Sequence, residues 1–167
     1  MTTKTYEVER KWLLANIPSA CDNIEPIRIT QAYLSGIRIR RANSKTYITV
    51  KSTGNLARLE WEKPIPRWVF EQLIVESKCV ITKKRYVIRK NLPALTIDVF
   101  EGQLSGLVLL EAEWIAETTP DDAVNLALSY ELPSIFTSAT EVTHDQRFHN
   151  YCLAQNQTIP SSKDYPY

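Results

Sequence analysis

Glycine is scarce in this chain of 167 residues: there are four, and none stands in a GxxxxGK[ST] run. A P-loop is therefore excluded, because that loop needs glycines where its backbone amides close on a phosphate. Cysteine is as sparse. Cys21, Cys79 and Cys152 are odd in number, widely spaced and without a CxxC pair. A disulfide framework or a structural zinc site does not fit them; free thiols in a reducing cytosol do. The longest apolar stretch, around Leu107 to Leu110, is far too short to span a membrane. Charge of one sign is missing too: 20 Lys and Arg stand against 19 Asp and Glu, a net +1. An overall basic field cannot then carry nucleic-acid binding, and any polyanion must meet positive charge concentrated locally. The first residues, Met-Thr-Thr-Lys-Thr-Tyr-Glu, turn charged at once and show no signal peptide. A cytoplasmic protein is expected, with neither membrane nor nucleic acid as partner.

What the sequence does have is alternation. Segments 4–14, 27–41, 46–52, 57–63, 79–90, 94–100 and 106–116 repeat with period two, the signal of strands. Asn43-Ser44-Lys45, Ser52-Thr53-Gly54-Asn55 and Lys90-Asn91-Leu92-Pro93 supply turn chemistry between them. A helix is predicted over 66–77, with Pro66 near its start and Val69, Leu73 and Ile74 on one face. A second is predicted over 120–130, where Thr119 can cap, Pro120 suits the first turn and Asp121 and Asp122 favour the dipole. A short third helix is expected after Asp145, carrying Phe148, Tyr151 and Cys152. The class is α+β, mostly antiparallel β, in one domain over 1–155 with a polar tail at 156–167.

Each strand has one ionisable face. Glu7, Glu9 and Lys11 alternate with Tyr6, Val8 and Trp12, with Arg10 the exception; Gln31, Tyr33 and Ser35 share a face. Arg38 and Arg40 alternate with Ile37 and Ile39; Thr49 and Lys51 with Ile48 and Val50; Arg58, Glu60 and Glu62 with Leu59 and Trp61. Lys83 and Arg85 oppose Tyr86 and Ile88, Asp98 opposes Ile97 and Val99, and Glu111 and Glu113 oppose Leu110, Ala112 and Trp114. A solvated outer face would explain any one strand. The set is different, because acids and bases come in blocks and both long helices need an apolar surface to pack on. If the helices cover the outside of a closed barrel, the charged faces point inward. Such an interior is costly unless the charges pair or a charged ligand completes them.

Arg and Lys at 11, 38, 40, 51, 83 and 85 suit a polyphosphate, which guanidinium forks and ammonium groups both match. Glutamates at 7, 9, 111 and 113 beside a phosphate require divalent cations between them. All-oxygen ligands select hard ions, so Mg²⁺ or Mn²⁺ is expected, with room for two ions. His144 and His149, five apart near a polar loop, suit a surface or helix-cap role better than a metal pair.

In order along the chain stand Glu7-Val-Glu-Arg-Lys11, Gln31-Ala-Tyr-Leu34, Ile37-Arg-Ile-Arg40, Thr49-Val-Lys51, Arg58-Leu-Glu-Trp-Glu62, Lys83-Lys-Arg-Tyr86, Asp98-Val-Phe-Glu-Gly102, Leu110-Glu-Ala-Glu-Trp114 and Glu141-Val-Thr-His-Asp-Gln-Arg147-Phe-His-Asn150. This series resembles the CYTH superfamily, the triphosphate tunnel metalloenzymes, over residues 5 to about 153. It departs at Trp12 for the usual Phe, at Ala32 for a common glycine, at Lys63-Pro64, and in lacking Trp-Leu-Gly before Glu141.

The resemblance implies an eight-stranded antiparallel tunnel, bound divalent metal and a triphosphate substrate, most like the small bacterial inorganic triphosphatases. Metal would fall to Glu7, Glu9, Glu111 and Glu113, with Glu62 as a further candidate and Glu60 in support; the alternative for Glu60 and Glu62 is to pair with the arginines. Phosphate would fall to Lys11, Arg38, Arg40, Lys51, Lys83 and Arg85, with Arg58 and Asp98 organising their neighbours; Arg147 would either reach the tunnel mouth or, with Asp145 and Asn150, cap the last helix. Tyr33, its phenol lowered by cations such as Lys83, is the candidate to take a proton from the attacking water. Adenylate cyclisation, cleavage of thiamine or nucleoside triphosphates, and plain polyphosphate binding are the alternatives. A monomer or homodimer is expected.

Overall fold

A computed structural model describes residues 5–52, 57–91, 93–116, 119–136 and 138–161. The turn residues Thr53, Gly54, Asn55 and Leu92, and the tail from Ser162 onward, lie outside the described residues. Eight strands close into an antiparallel barrel: β1 (Thr5–Leu14), β2 (Ile27–Leu34), β3 (Ile37–Ala42), β4 (Lys45–Lys51), β5 (Ala57–Pro64), β6 (Cys79–Arg89), β7 (Ala94–Phe100) and β8 (Val108–Ala116). Their order is β5-β4-β3-β2-β6-β7-β8-β1, and β1 pairs with β5 to close the ring. A two-residue strand, β9 (Thr140–Glu141), adds to the far end of β1 at Trp12 and Leu13. Closure leaves the long strands no free edge.

Segment 27–41 is two strands rather than one. Ser35 and Gly36 both have positive φ, 44° and 87°, the backbone of a two-residue hairpin turn. Ser35 thereby leaves the strand face expected for it.

Helix α1 (Arg67–Ile74) lies on the outer faces of β3 and β4. Phe70 is its buried anchor, packed with Ala32 and Ile39, while Leu73 and Ile74 flank it; Val69 stays half-buried. Helix α2 (Asp121–Ser129) covers β1 and β8, with Ala123 and Ala127 set against Val8, Trp12, Leu110 and Trp114. Thr119 does not cap it. Pro120 occupies the N-cap position with no side-chain bond, and its carbonyl accepts from Val124 at 2.8 Å. Asp121 and Asp122 do fall in the first turn, where negative charge complements the helix dipole.

The interior changes character along the barrel. The inward rows run charged through Lys11, Lys83, Asp98 and Glu111, and then continue as Leu13, Ile81, Phe100 and Leu109. Those apolar residues form a floor with Phe148, Leu153 and Ala154 from the C-terminal segment. The helix expected after Asp145 is two pieces: a 3-10 turn at Gln146–Phe148 and α3 (Asn150–Asn156). One end of the tunnel is thus sealed by the chain's own C-terminal segment, for the same reason that any apolar face is covered.

Candidate active site

Above that floor the barrel encloses a cavity of about 940 Å³. Glu7, Glu9 and Lys11 of β1, Gln31 and Tyr33 of β2, Arg38 and Arg40 of β3, and Thr49 and Lys51 of β4 line it. Arg58, Glu60 and Glu62 of β5, Lys83 and Arg85 of β6, and Glu111 and Glu113 of β8 complete the wall. Alternation alone places them: a closed barrel turns one face of every strand inward, and here that face is the ionisable one.

Register then decides the partners. Lys11 lies opposite Glu111, and its Nζ donates to Glu111 at 2.5 Å and to Glu9 at 2.9 Å. Arg85 lies opposite Asp98 and forks onto both its oxygens at 2.7 Å while reaching Glu111 at 2.5 Å. Lys51 lies opposite Glu60, 2.6 Å away, and also donates to Glu7. Arg40 Nη2 donates to both oxygens of Glu62 at 2.9 Å, and Thr49 and Arg38 donate to the same carboxylate at 2.7 and 3.2 Å. Arg58 reaches Glu9 at 3.1 Å.

One pairing breaks the rule. Glu9 lies directly opposite Glu113, and Glu7 approaches from the same row. Like charges across a ladder repel. Burial, the charges of Glu7 and Glu9, and a hydrogen bond to Glu7 push the Glu113 carboxyl up to about 8. Glu111 goes the other way: burial opposes its charge, but Lys11, Arg85 and Lys83 outweigh burial and hold it well below the usual carboxylate range. Burial likewise works against charge on Lys11, yet Glu111 and Glu9 keep its ammonium above the ordinary lysine range.

Lys83 is the most enclosed cation. It donates to Asp98, which is itself fully buried, and to Asn150 at 3.2 Å. Burial, helped by the charge of Arg85, outweighs Asp98 and Glu111 and lowers its ammonium to about 8. Tyr33 reverses the expectation made for it. Burial pushes the phenol up to about 12, against the lowering pull of Arg38 and Lys11 and of its hydrogen bond with Gln31. Gln31 Nε2 donates to the Tyr33 hydroxyl at 2.8 Å, which leaves the phenolic proton to point elsewhere.

The partners of three residues bear on the roles expected for them. Arg147 does not join the cavity wall; it forks onto Asp145 at 2.8–3.2 Å beside α3. Glu62 bonds Arg38, Arg40 and Thr49, on the far side of Glu60 from the Glu7–Glu9–Glu113 group. Glu111 shares the inward face of β8 with Glu113 and bridges Lys11 and Arg85. Conversely His149 stands at the start of α3 as a capping residue would, but makes no side-chain cap bond and lines the cavity with Asn150 and Tyr151. Alternation could not find these three, because no strand carries them; proximity to the resembling Glu141–Asn150 run was the only signal.

Among the described residues no three acidic, thiol or imidazole side chains are drawn together as ligands of one ion. The carboxylates hold lysines and arginines in that place. The donor set nevertheless fits a hard divalent cation: Glu7, Glu9 and Glu113 are all oxygen, share one region of wall, and crowd negative charge until one of them retains a proton.

No family model matches the chain. It is 35% identical over 159 residues to an inorganic triphosphatase of Nitrosomonas europaea, covering 89% of this chain and 96% of that one. An inorganic triphosphatase of Acetivibrio thermocellus is 32% identical over 123 residues, 72% of each chain. The crystal structure of an inorganic triphosphatase superposes with a TM-score of 0.60 at 29% identity, covering 96% of this chain and 99% of that one.

Proposed function

The chain belongs to the small inorganic triphosphatases of the CYTH superfamily, and from that premise we propose that it hydrolyses inorganic triphosphate to pyrophosphate and phosphate, using Mg²⁺ or Mn²⁺. The observation that carries the reading is the tunnel wall, where seven basic side chains face six glutamates around one cavity. Buried pairs of this kind contribute little net stability, because desolvation cancels most of the attraction. They can therefore change partners at small cost. A triphosphate would take the cations, and the carboxylates those cations release would be free to hold divalent ions.

Arg38, Arg40, Lys51, Arg58 and Arg85 hold and neutralise the phosphate chain, which is most of what phosphoryl transfer asks of a protein. Glu7, Glu9 and Glu113 would hold the metal, and Glu111 would be free to join them once substrate drew Lys11 and Arg85 away. A divalent metal held there would neutralise phosphate charge and act as a Lewis acid on the terminal phosphoryl group. Tyr33, a neutral phenol at physiological pH, donates to a phosphate oxygen. Lys83, with its ammonium lowered to about 8, is partly neutral near pH 7 to 8 and accepts a proton from the attacking water. Water adds to the terminal phosphorus, the bridging P–O bond breaks, and pyrophosphate leaves. Three free thiols support a cytoplasmic setting.

The test is phosphate release from tripolyphosphate, ATP and thiamine triphosphate, each with Mg²⁺, Mn²⁺ or EDTA, for the parent and for Glu113→Gln. We expect tripolyphosphate to be fastest, EDTA to abolish release, and Glu113→Gln to need more metal and turn over on the order of 10²-fold slower. Silence on all three, with tripolyphosphate still raising the melting temperature, would reduce the protein to a polyphosphate-binding module.

A further inference from the structure

Lys83 sits where the charged wall meets the apolar floor. Its side chain is 1% exposed, and its Nζ lies 5.2 Å from the centroid of the Phe100 ring. A lysine nitrogen presents three positions in a fixed tetrahedral fan, all N–H bonds in the ammonium, and two N–H bonds and the proton-accepting lone pair in the neutral amine. One goes to Asp98, whose two oxygens are also engaged by the Arg85 fork, and one goes to Asn150 Oδ1. The direction of the third is therefore set by where Asn150 stands.

Asn150 belongs to no strand, so no ladder places it. Phe148 and Leu153, buried in the floor, hold the segment from one side. From the other it is held through Arg10, the residue that interrupts the apolar face of β1. The Arg10 guanidinium forks onto Glu141 at 2.8 and 2.7 Å, donates to the Ala127 and Tyr130 carbonyls at the end of α2, and stacks 4.8 Å over Trp12. Glu141 also accepts from the Thr143 hydroxyl at 2.7 Å, and Thr143 in turn accepts from the Lys11 backbone amide at 3.1 Å. Arg10 and Lys11 are neighbours on opposite faces of one strand, so this clasp ties the segment leading to Asn150 to the outside of the strand whose inside binds substrate.

We propose that Asn150 is a positioning residue for Lys83, and that the Arg10–Glu141 clasp on the outer face of the barrel holds the segment that carries it. The proposal rests on the reading of Lys83 as the proton acceptor given above.

The test is steady-state hydrolysis of tripolyphosphate by Asn150→Leu, Asn150→Ser, Asn150→Asp, Glu141→Gln and the double variant Glu141→Gln/Asn150→Leu. Each kcat is taken at the plateau of its pH profile, and each variant is checked for its melting temperature. Asn150→Leu should lower kcat about tenfold or more with KM little changed, as misaiming one catalytic group does. Asn150→Ser, which withdraws the acceptor without adding apolar bulk, should do the same and guards against a folding defect. Asn150→Asp keeps an acceptor and should restore most of kcat. Glu141→Gln should lower kcat in the same direction, and the double variant should be no slower than Asn150→Leu alone, since both changes act through one contact. Parent-like kcat in Asn150→Leu and Asn150→Ser, an Asn150→Asp as slow as they are, or a double variant showing the product of the single losses overturns the proposal while hydrolysis stands. A parent inactive on tripolyphosphate overturns the hydrolase reading, and the proposal with it.

Discussion

Two cross-strand pairs on β1 and β8 sit two residues apart and behave oppositely. Lys11 against Glu111 is a matched pair, while Glu9 faces Glu113, a carboxyl that burial and its acidic neighbours push up to about 8. Their titration makes a prediction about stability in the absence of metal. The Glu113 carboxyl, at about 8 when folded, lies above its unfolded value of about 4.3, so the folded chain binds more protons in between. Its contribution is fully present below the unfolded value and is lost as pH rises through 8. Lys83, at about 8 when folded, lies below its unfolded value of about 10.4, so there the unfolded chain binds more protons and stability rises with pH across that window. Denaturant unfolding of the parent against Glu113→Gln and Lys83→Met should give difference curves that fall up to pH 8 for the first and rise above it for the second. Added Mg²⁺ should flatten the first and leave the second. Difference curves flat across both windows would show that neither group is perturbed.

At the scale of elements, the three helices do different work. Helices α1 and α2 cover outer faces, whereas α3 and the turn before it close the barrel from within. Phe148 belongs to the floor, and Phe148→Ala should cost about 3–5 kcal/mol, as a cavity in a packed core does. It should also free Asn150 and so lower kcat. Trp68 on α1 is 67% exposed, and Trp68→Ala should stay within about 0.5 kcal/mol. Thermal unfolding of both variants checks the contrast; equal losses would mean that the C-terminal segment is not part of the core.

For the whole molecule, the balance of charge in the tunnel implies coupling. Triphosphate alone would strand the carboxylates, and metal alone would strand the lysines and arginines. The stabilisation by tripolyphosphate and Mg²⁺ together should therefore exceed the sum of their separate effects, by a coupling on the order of 1–3 kcal/mol. Melting temperatures across a grid of both ligands measure it, and strict additivity would rule out the exchange of partners described above.

The strands, their inward faces and the acid and base rows were legible in the sequence, because alternation is a local property that each strand carries by itself. The same holds for Leu73 and Ile74 as an apolar patch, but not for Phe70, the buried anchor, in whose place Val69 was expected. What only the tertiary structure decided depends on register and closure, which join residues far apart along the chain. Lys11 is assigned to Glu111 and Glu9 to Glu113 by the pairing of β1 with β8, a hundred residues on. Arg147 and His149 lie two residues apart on a segment without alternation; packing of Phe148 between them sends one to Asp145 and the other to the cavity. Tyr33 shows the physical reason most plainly. That cations surround it could be read from the strand pattern, though Arg38 and Lys11 act where Lys83 was expected; its burial could not be read, and in a closed barrel desolvation outweighs their charge.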